Sequence, residues 1–429
     1  MPVNPRAARN CDVQPSGSNL MSVETAIEVA VGMAKPITGA QEVALRFARG
    51  RILAADLHAP QAMPAFDNSA MDGFALRLQD IPGTGPWRLP VTGTIAAGSA
   101  LGLAGAVVGA ALRIFTGAPV PALCDAVVMQ ENCDDQGEHV LIFSRPAMGE
   151  NIRRAGEDIG AGALLASRGT IIEARHVGLL AGNGHASVQV RRRPRIAVLS
   201  TGDELVDAGK GNARIHDANR PMLLALCEGL GAEVTDLGIC ADDLGAITGL
   251  LRANATQFDM ILTSGAASVG GRDFVRPALQ AAGGSVEACR VALKPGKPVF
   301  FGRLGDALLT GLPGNPLSAY TGFQLFVARQ IAAMLGFSRG EMSVEKAVAG
   351  FGWKRKAGRA EYLPARIVAH DASGRPIVER LGHGGSASLM PLSQADGVAV
   401  LDASSIEGAC GTPIPWFPFC RREFAWRSI

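Results

Sequence analysis

Apolar residues first recur at helical spacing where S-V-E-T at 22–25 reads as a helix start. Ile27, Val31, Val43, Ala44, Phe47 and Ile52 continue that spacing, so the pattern predicts helix over 21–56. From Leu57 to about Pro146 the texture changes to short apolar runs broken by Gly and Pro, the pattern of a small β-rich region. Residues 147–190 return to turns and short elements, with a helix-like stretch at 174–180. Arg191, Arg192, Arg193 and Pro194 then form a charged boundary, expected to be a solvated linker.

Beyond that boundary, strands and helices alternate. Strands are predicted at 195–200, 233–237, 259–262, 286–293, 299–301 and 307–310. Helices are predicted at 219–230, 243–251, up to 282, and 316–335. This alternation implies a doubly wound, mainly parallel sheet. After Gly336 the pattern turns alternating and turn-rich, with strands at 362–368, 377–380 and 397–401, as in a small all-β domain. The fold class expected is therefore α/β and multidomain, with β-rich regions on both sides of the α/β layer.

Composition adds bounds to this picture. A chain of 429 residues suggests about three domains. Its 48% hydrophobic content supplies several cores and argues against disorder. Lys+Arg 41 against Asp+Glu 39 leaves a net charge of +2, which gives no electrostatic reason to seek nucleic acid or an anionic membrane. The uncharged stretch 91–112 is long enough to span a bilayer, but its Ala, Gly, Thr and Ser content reads better as β structure. The eight cysteines show no C-x-x-C and no metal-like spacing, and no signal-peptide pattern opens the chain. A reduced, cytoplasmic protein is expected.

In open α/β sheets, ligands bind beyond the carboxyl ends of the strands. The unusual loops of the middle region all fall there. T-G-D-E at 201–204 carries Glu204, and Asp242 and Asp243 follow the second strand. A Gly/Ser loop with Ser264, Gly265, Ser268 and Gly270 ends at Asp273. K-P-G-K-P carries Lys294 and Lys297, and L-P-G-N-P carries Pro313, Gly314, Asn315 and Pro316. Gly-rich backbone beside helix starts suits phosphate groups, and carboxylates near phosphates suit Mg²⁺, a cation of oxygen ligands. Each loop alone has a plainer explanation: an acid after a strand is commonly a helix cap, and Pro-Gly commonly a turn. No G-x-G-x-x-G or P-loop string is present. In the β-rich region a second constellation, with Asp67 and Asp72, reads equally as an Asx-turn network. R-I-F-T-G-A-P-V-P with Thr116 and R-R-A-G-E-D-I with Asp158 stand beside it.

Taken together, these strings resemble the molybdopterin molybdenumtransferases, the MoeA family homologous to the gephyrin E domain. The resemblance rests on F-D-N-S-A-M-D-G-F at 66–74, R-I-F-T-G-A-P-V-P at 113–121 and R-R-A-G-E-D-I at 153–159. It continues through S-T-G-D-E-L at 200–205, D-A-N-R at 217–220, S-V-G-G-R-D at 268–273, K-P-G-K-P at 294–298 and L-P-G-N-P-L-S at 312–318. The resemblance implies a discontinuous N-terminal domain (20–59 with 147–193), a β-rich insertion (60–146), an α/β domain (194–336) and a C-terminal β-barrel (337–429). It also implies a homodimer in which the α/β domain of one subunit faces the insertion of the other. The implied reaction inserts molybdate into the dithiolene of adenylylated molybdopterin, with Mg²⁺-assisted release of AMP. Functional positions carried over are Asp67, Thr116, Asp158, Glu204, Asp242, Asp273, Lys294, Lys297, Pro313, Pro316 and Ser386. Glu204, Asp242 and Asp273 are expected around Mg²⁺. Molybdopterin adenylyltransferase, and molybdoenzymes or their chaperones, are the fitting partners. Two alternatives are an adenylyltransferase, against which the extra domains argue, and a non-catalytic scaffold or cofactor carrier. Four positions depart from the family: Ala266, Ala241, Arg290 and Pro364. Pro364 stands where an oxyanion-binding arginine is common. Arg366, two residues along a predicted strand and so on the same face, is expected to take over its charge.

Overall fold

The computed structural model describes residues 20–99, 108–210, 214–265, 274–288, 290–337, 344–382, 385 and 387–419. Ala40–Val190 forms one compact unit, and the chain on either side of it forms the other.

The first unit is built on a six-stranded sheet. Its strands run in the order Ala126–Met129, Gly73–Leu76, Ala111–Ile114, Trp87–Ile95, His139–Ile142 and Cys133–Asp135. Only Trp87–Ile95 against Ala111–Ile114 is parallel. Alternation sorts the side chains: Phe74, Leu76 and Ile142 fill one core while Ala75, Leu112 and Val127 fill another. Gly73 is obligatory, because a Cβ there would lie 1.9 Å from the Val128 carbonyl oxygen. A satellite core joins Leu45, Leu53, Ile172, Leu180 and Val190 around the helix Ala174–Gly182. The stretch 91–112 falls on the strands Trp87–Ile95 and Ala111–Ile114, with 100–107 outside the described residues. Among the described residues no helix is long and apolar enough to cross a membrane.

Helix over 21–56 is only partly what forms. The helix is Val23–Gly32, capped by the Ser22 side chain accepting from the Thr25 N–H at 3.1 Å. Pro36 cannot continue a helical ladder. Beyond it lie a strand, Ala40–Ala44, and a 3-10 turn, Leu45–Phe47. Ile52 is buried but Phe47 is 63% exposed, so the apolar positions of the second half do not share one buried face. The helix itself buries Val23, Ala26 and Ala30 in the core of the second unit, not with residues 147–190.

In that second unit the main sheet runs Glu233–Cys240, Arg195–Thr201, Met260–Ser264, Ala307–Leu312, Phe300–Leu304 and Ser285–Ala288. The first four strands are parallel, and Phe300–Leu304 is antiparallel to its neighbours. On one face lie Asn219–Gly229, Val23–Gly32 and the helical run from Pro316 to Met334, interrupted by a π turn at Phe323–Val327. On the other lie Leu244–Asn254 and Val275–Ala281. The predicted strand at 286–293 divides into Ser285–Ala288 and Leu293–Lys294. The latter leaves this sheet and pairs with Ala360–His370.

The Arg-rich boundary is clamped, not solvated. Arg192 makes two hydrogen bonds of 2.7 Å to Asp259, which also accepts from the Arg195 N–H at 2.7 Å. Arg191 donates to the Leu335 carbonyl.

The C-terminal strands close a five-stranded barrel. Ala360–His370 pairs with Pro376–Arg380, which pairs with Glu345–Ala349, then Pro413–Pro418, then Gly397–Leu401, which returns to Ala360–His370. Leu363, Ala365, Val378 and Trp416 point inward. Tyr362, Val398, Val400 and Phe417 point outward into the core of the α/β layer.

Candidate active site

Strand order decides where a ligand can enter. Arg195–Thr201 is followed by Glu233–Cys240 on one side of it, and the chain then crosses to Met260–Ser264 on its other side. The crevice beyond Thr201 and Ser264 is therefore the topological switch point of the sheet. There the backbone closes tightly. Gly202 lies at φ +148° and Gly265 at φ +94°, and a Cβ on Gly265 would sit 2.3 Å from the Thr201 carbonyl oxygen. A Cβ on Gly314 would in turn lie 3.6 Å from the Gly265 Cα. The loops after three strands thus share one small space.

Asn219 ties them together. Its Nδ2 donates to Ser264 Oγ and to the Gly314 carbonyl, both at 2.7 Å. Its Oδ1 is buried with no hydrogen-bond partner among the described residues, as is Ser200 Oγ. The helix start is held from beneath. Asp217 accepts from the Asn219 and Arg220 N–H groups at 3.1 Å and from Arg220 Nε at 3.1 Å. Arg220 also pairs with Asp207 and Asp236. Asn219 escaped the sequence reading as a site residue. Its only signal was the polar D-A-N-R string opening a helix.

The predicted carboxylates are placed as follows. Glu204 folds back over Gly202, its carboxylate oxygens 2.8 Å from where a Cβ would stand. The Asp242 N–H donates to Asp203 Oδ1 at 3.1 Å. Asp243 caps the helix Leu244–Asn254, accepting from the Ala246 N–H at 2.7 Å, so its role is structural. Asp273, Ser268, Gly270 and Ser386 lie outside the described residues. The donor type suits Mg²⁺, but among the described residues no three His, Cys, Asp or Glu side chains gather as a metal set.

Lys294 and Lys297 flank Gly296, whose φ of +112° and approach to Leu293 favour glycine. The Lys294 Nζ lies 2.8 Å from Glu361 Oε1. The small cleft beside it is lined by Lys294, Pro295, Glu361, Pro364, Leu381 and Ser388. Arg366 does not line that cleft. It shares a strand with Pro364, but its register partner across the barrel is Glu379, and the two pair at 3.4 Å on the exposed surface. The charge expected from Arg366 is thus committed elsewhere.

In the unit Ala40–Val190 the three motifs meet. Asp72 Oδ1 accepts from the Thr116 N–H and from Thr116 Oγ1, both at 2.7 Å. Those two bonds, backbone first, hold the Asp72 carboxyl below its ordinary value. Asp67 accepts from the Ala155 N–H at 2.8 Å and from Arg154 at 2.7 Å. The Ala155 bond is the largest influence on Asp67; burial opposes it, and Arg154 reinforces it, so the carboxyl stays depressed. Asp158 is exposed, and its N–H donates to the Met63 carbonyl. Both carboxylates thus bond residues far along the chain and not their own local backbone, so no Asx turn forms at either, and the bonds gather Asp67, Thr116 and Asp72 on one loop cluster.

Comparison with known proteins finds matches over most of the chain. Residues 21–184 match the MoeA N-terminal region (domain I and II), 197–333 a probable molybdopterin binding domain, and 346–419 the MoeA C-terminal region (domain IV). The chain is 35% identical over 379 residues to a molybdopterin molybdenumtransferase of Haemophilus influenzae, covering 87% of this chain and 93% of that protein. It is also 35% identical over 390 residues to molybdopterin molybdenumtransferase 2 of Mycobacterium tuberculosis, covering 89% and 94%. The crystal structure of the molybdopterin biosynthesis MoeA protein from Pyrococcus horikosii superposes with a TM-score of 0.81 at 28% identity, covering 94% of this chain and all of that one. The chain belongs to the MoeA family, transferases of molybdenum cofactor biosynthesis.

Proposed function

We propose that this protein inserts molybdate into the dithiolene of adenylylated molybdopterin, with Mg²⁺-assisted release of AMP. The observation that carries the reading is Asn219, which joins the loops after two neighbouring parallel strands at the switch point of the sheet. Glycine at 265 and 314 lets the strand-end loops close on one another, and their backbone is the group we assign to a phosphate-bearing ligand. Asn219 orients the loops of Ser264 and Gly314, with Pro313, Asn315 and Pro316 completing the latter. Lys294 and Lys297 supply positive charge for the molybdate oxygens. Glu204 and Asp242, with Asp273, are the residues that would hold Mg²⁺; the ion would offset phosphate charge as AMP leaves. Asp67, Thr116 and Asp158 act from the second motif cluster, which fits a homodimer with a composite site in the cytoplasm.

The test is direct. Purified protein is incubated with adenylylated molybdopterin, molybdate and Mg²⁺, and AMP and active cofactor are measured. AMP release that requires molybdate supports the proposal; none in the presence of all three overturns it. Asn219→Ala, which strips two buried hydrogen bonds worth about 1 kcal/mol each, is expected to slow turnover by at least about tenfold.

A further inference from the structure

Lys294 is not a free cation facing the crevice. The two-residue strand Leu293–Lys294 joins the edge of the barrel in parallel, with Leu293 opposite Ala360 and Lys294 opposite Glu361. Register partners in a parallel ladder project from the same face. Glu361 therefore rises beside Lys294, and its Oε1 lies 2.8 Å from Nζ. Glu361 is 7% exposed. Its other basic neighbour, Arg355, stands 3.8 Å from Oε2 at Nε, too far to donate, and that Nε has no hydrogen bond. The rest of the Arg355 guanidinium is spent on the carbonyls of Arg359, at 2.8 Å, and Leu401, at 3.2 Å. Lys294 is thus the nearer cationic partner of the carboxylate, with the buried Arg355 charge offsetting it at longer range, and Lys294 and Glu361 both line the cleft that Pro364 and Ser388 share.

We propose that Glu361 is a positioning residue for Lys294 and the restraint on oxyanion affinity in this cleft. Resting on the proposed function, the inference names what regulates its oxyanion site. The carboxylate holds the ammonium in one place, which favours turnover. It also opposes any anion that approaches the same ammonium, which keeps binding weak and reversible. With proline at 364 the cleft gains no guanidinium there, so the balance between Lys294, Lys297 and Glu361 sets its affinity.

The experiment measures molybdate binding to the full-length protein by calorimetry, alongside molybdate-dependent AMP release. Glu361→Gln keeps the shape and removes the charge. Its molybdate Kd is expected to fall about fivefold and to depend more steeply on salt, while kcat drops. Glu361→Asp keeps the charge but retracts it from Nζ, so its Kd is expected to stay within about twofold of wild type while kcat drops. In a Lys294→Met background the kcat effect of Glu361→Gln is expected to vanish, because the two residues act as one unit. An unchanged or weaker Kd in Glu361→Gln overturns the inference, as does an undiminished kcat effect in the Lys294→Met background. If Glu361→Gln misfolds by circular dichroism, Glu361→Asp decides: a Kd fallen as far as expected for Gln would overturn the role of charge. Absence of molybdate binding in wild type would instead remove the proposed function itself.

Discussion

Asp67 is held both by a backbone amide and by an opposite charge, and the two do not weigh equally. Its carboxyl is depressed first by the Ala155 N–H and only then, against burial, by Arg154. A depressed carboxyl stabilises the fold above its unfolded value of 3.8, and that contribution disappears as pH falls through the lower folded value. Arg154→Gln is expected to return the Asp67 pKa only part of the way toward 3.8, as read by NMR titration of the side chain. A full return would mean that the guanidinium, not the amide, governs this residue. Thiols behave in the opposite sense: burial pushes buried Cys124 and half-buried Cys133 up to about 11 and buried Cys227 up to about 12, so they stay protonated.

Among elements, the decisive contact is the approach of the strand end at Ser264 to the strand end at Thr201. Two glycines separate the causes of that closeness. Gly265 and Gly283 have nearly the same φ, +94° and +93°, but a Cβ on Gly265 meets the Thr201 carbonyl oxygen at 2.3 Å while one on Gly283 meets nothing within 4 Å. Gly283→Ala therefore isolates the cost of the left-handed conformation, about 1 kcal/mol. Gly265→Ala adds a steric wedge of about 1–3 kcal/mol. Chemical denaturation of the two variants is expected to differ by at least about 1 kcal/mol, with Gly265→Ala the less stable. Equal midpoints would mean that the loop yields and that the strand ends are not closely packed.

At the scale of the whole molecule, the motif cluster of Asp67, Thr116 and Asp72 lies in one compact unit, and the Asn219 crevice and the Lys294 cleft lie in the other. A composite site across a homodimer is the arrangement we propose for them. An Asp67→Asn chain mixed with a Lys294→Met chain is then expected to recover activity, because one of the two sites in each heterodimer carries neither change. Random pairing puts half of the chains into heterodimers, so about a quarter of the wild-type rate is the ceiling. Inactive mixtures that nevertheless exchange subunits would contradict the shared site.

The sequence by itself determined the parts whose physics is local. The alternation of strands and helices from 195 to 334 and the barrel strand at 397–401 were legible because burial writes its period into neighbouring residues. The loops at strand ends were legible because Gly, Pro and acidic residues punctuate them. Only the tertiary structure decided the rest. A period of 3.6 through Val43 and Phe47 did not become a helix once Pro36 and the exposed Phe47 removed its support. Asp243 became a cap and Asp242 did not, a choice made by where the helix begins. Arg366 is taken by Glu379 and Lys294 by Glu361, through the strand registers of the barrel. Those pairings join residues 13 and 67 positions apart in the sequence. Register is set by how whole strands pack, so no local pattern can announce which carboxylate a lysine will meet.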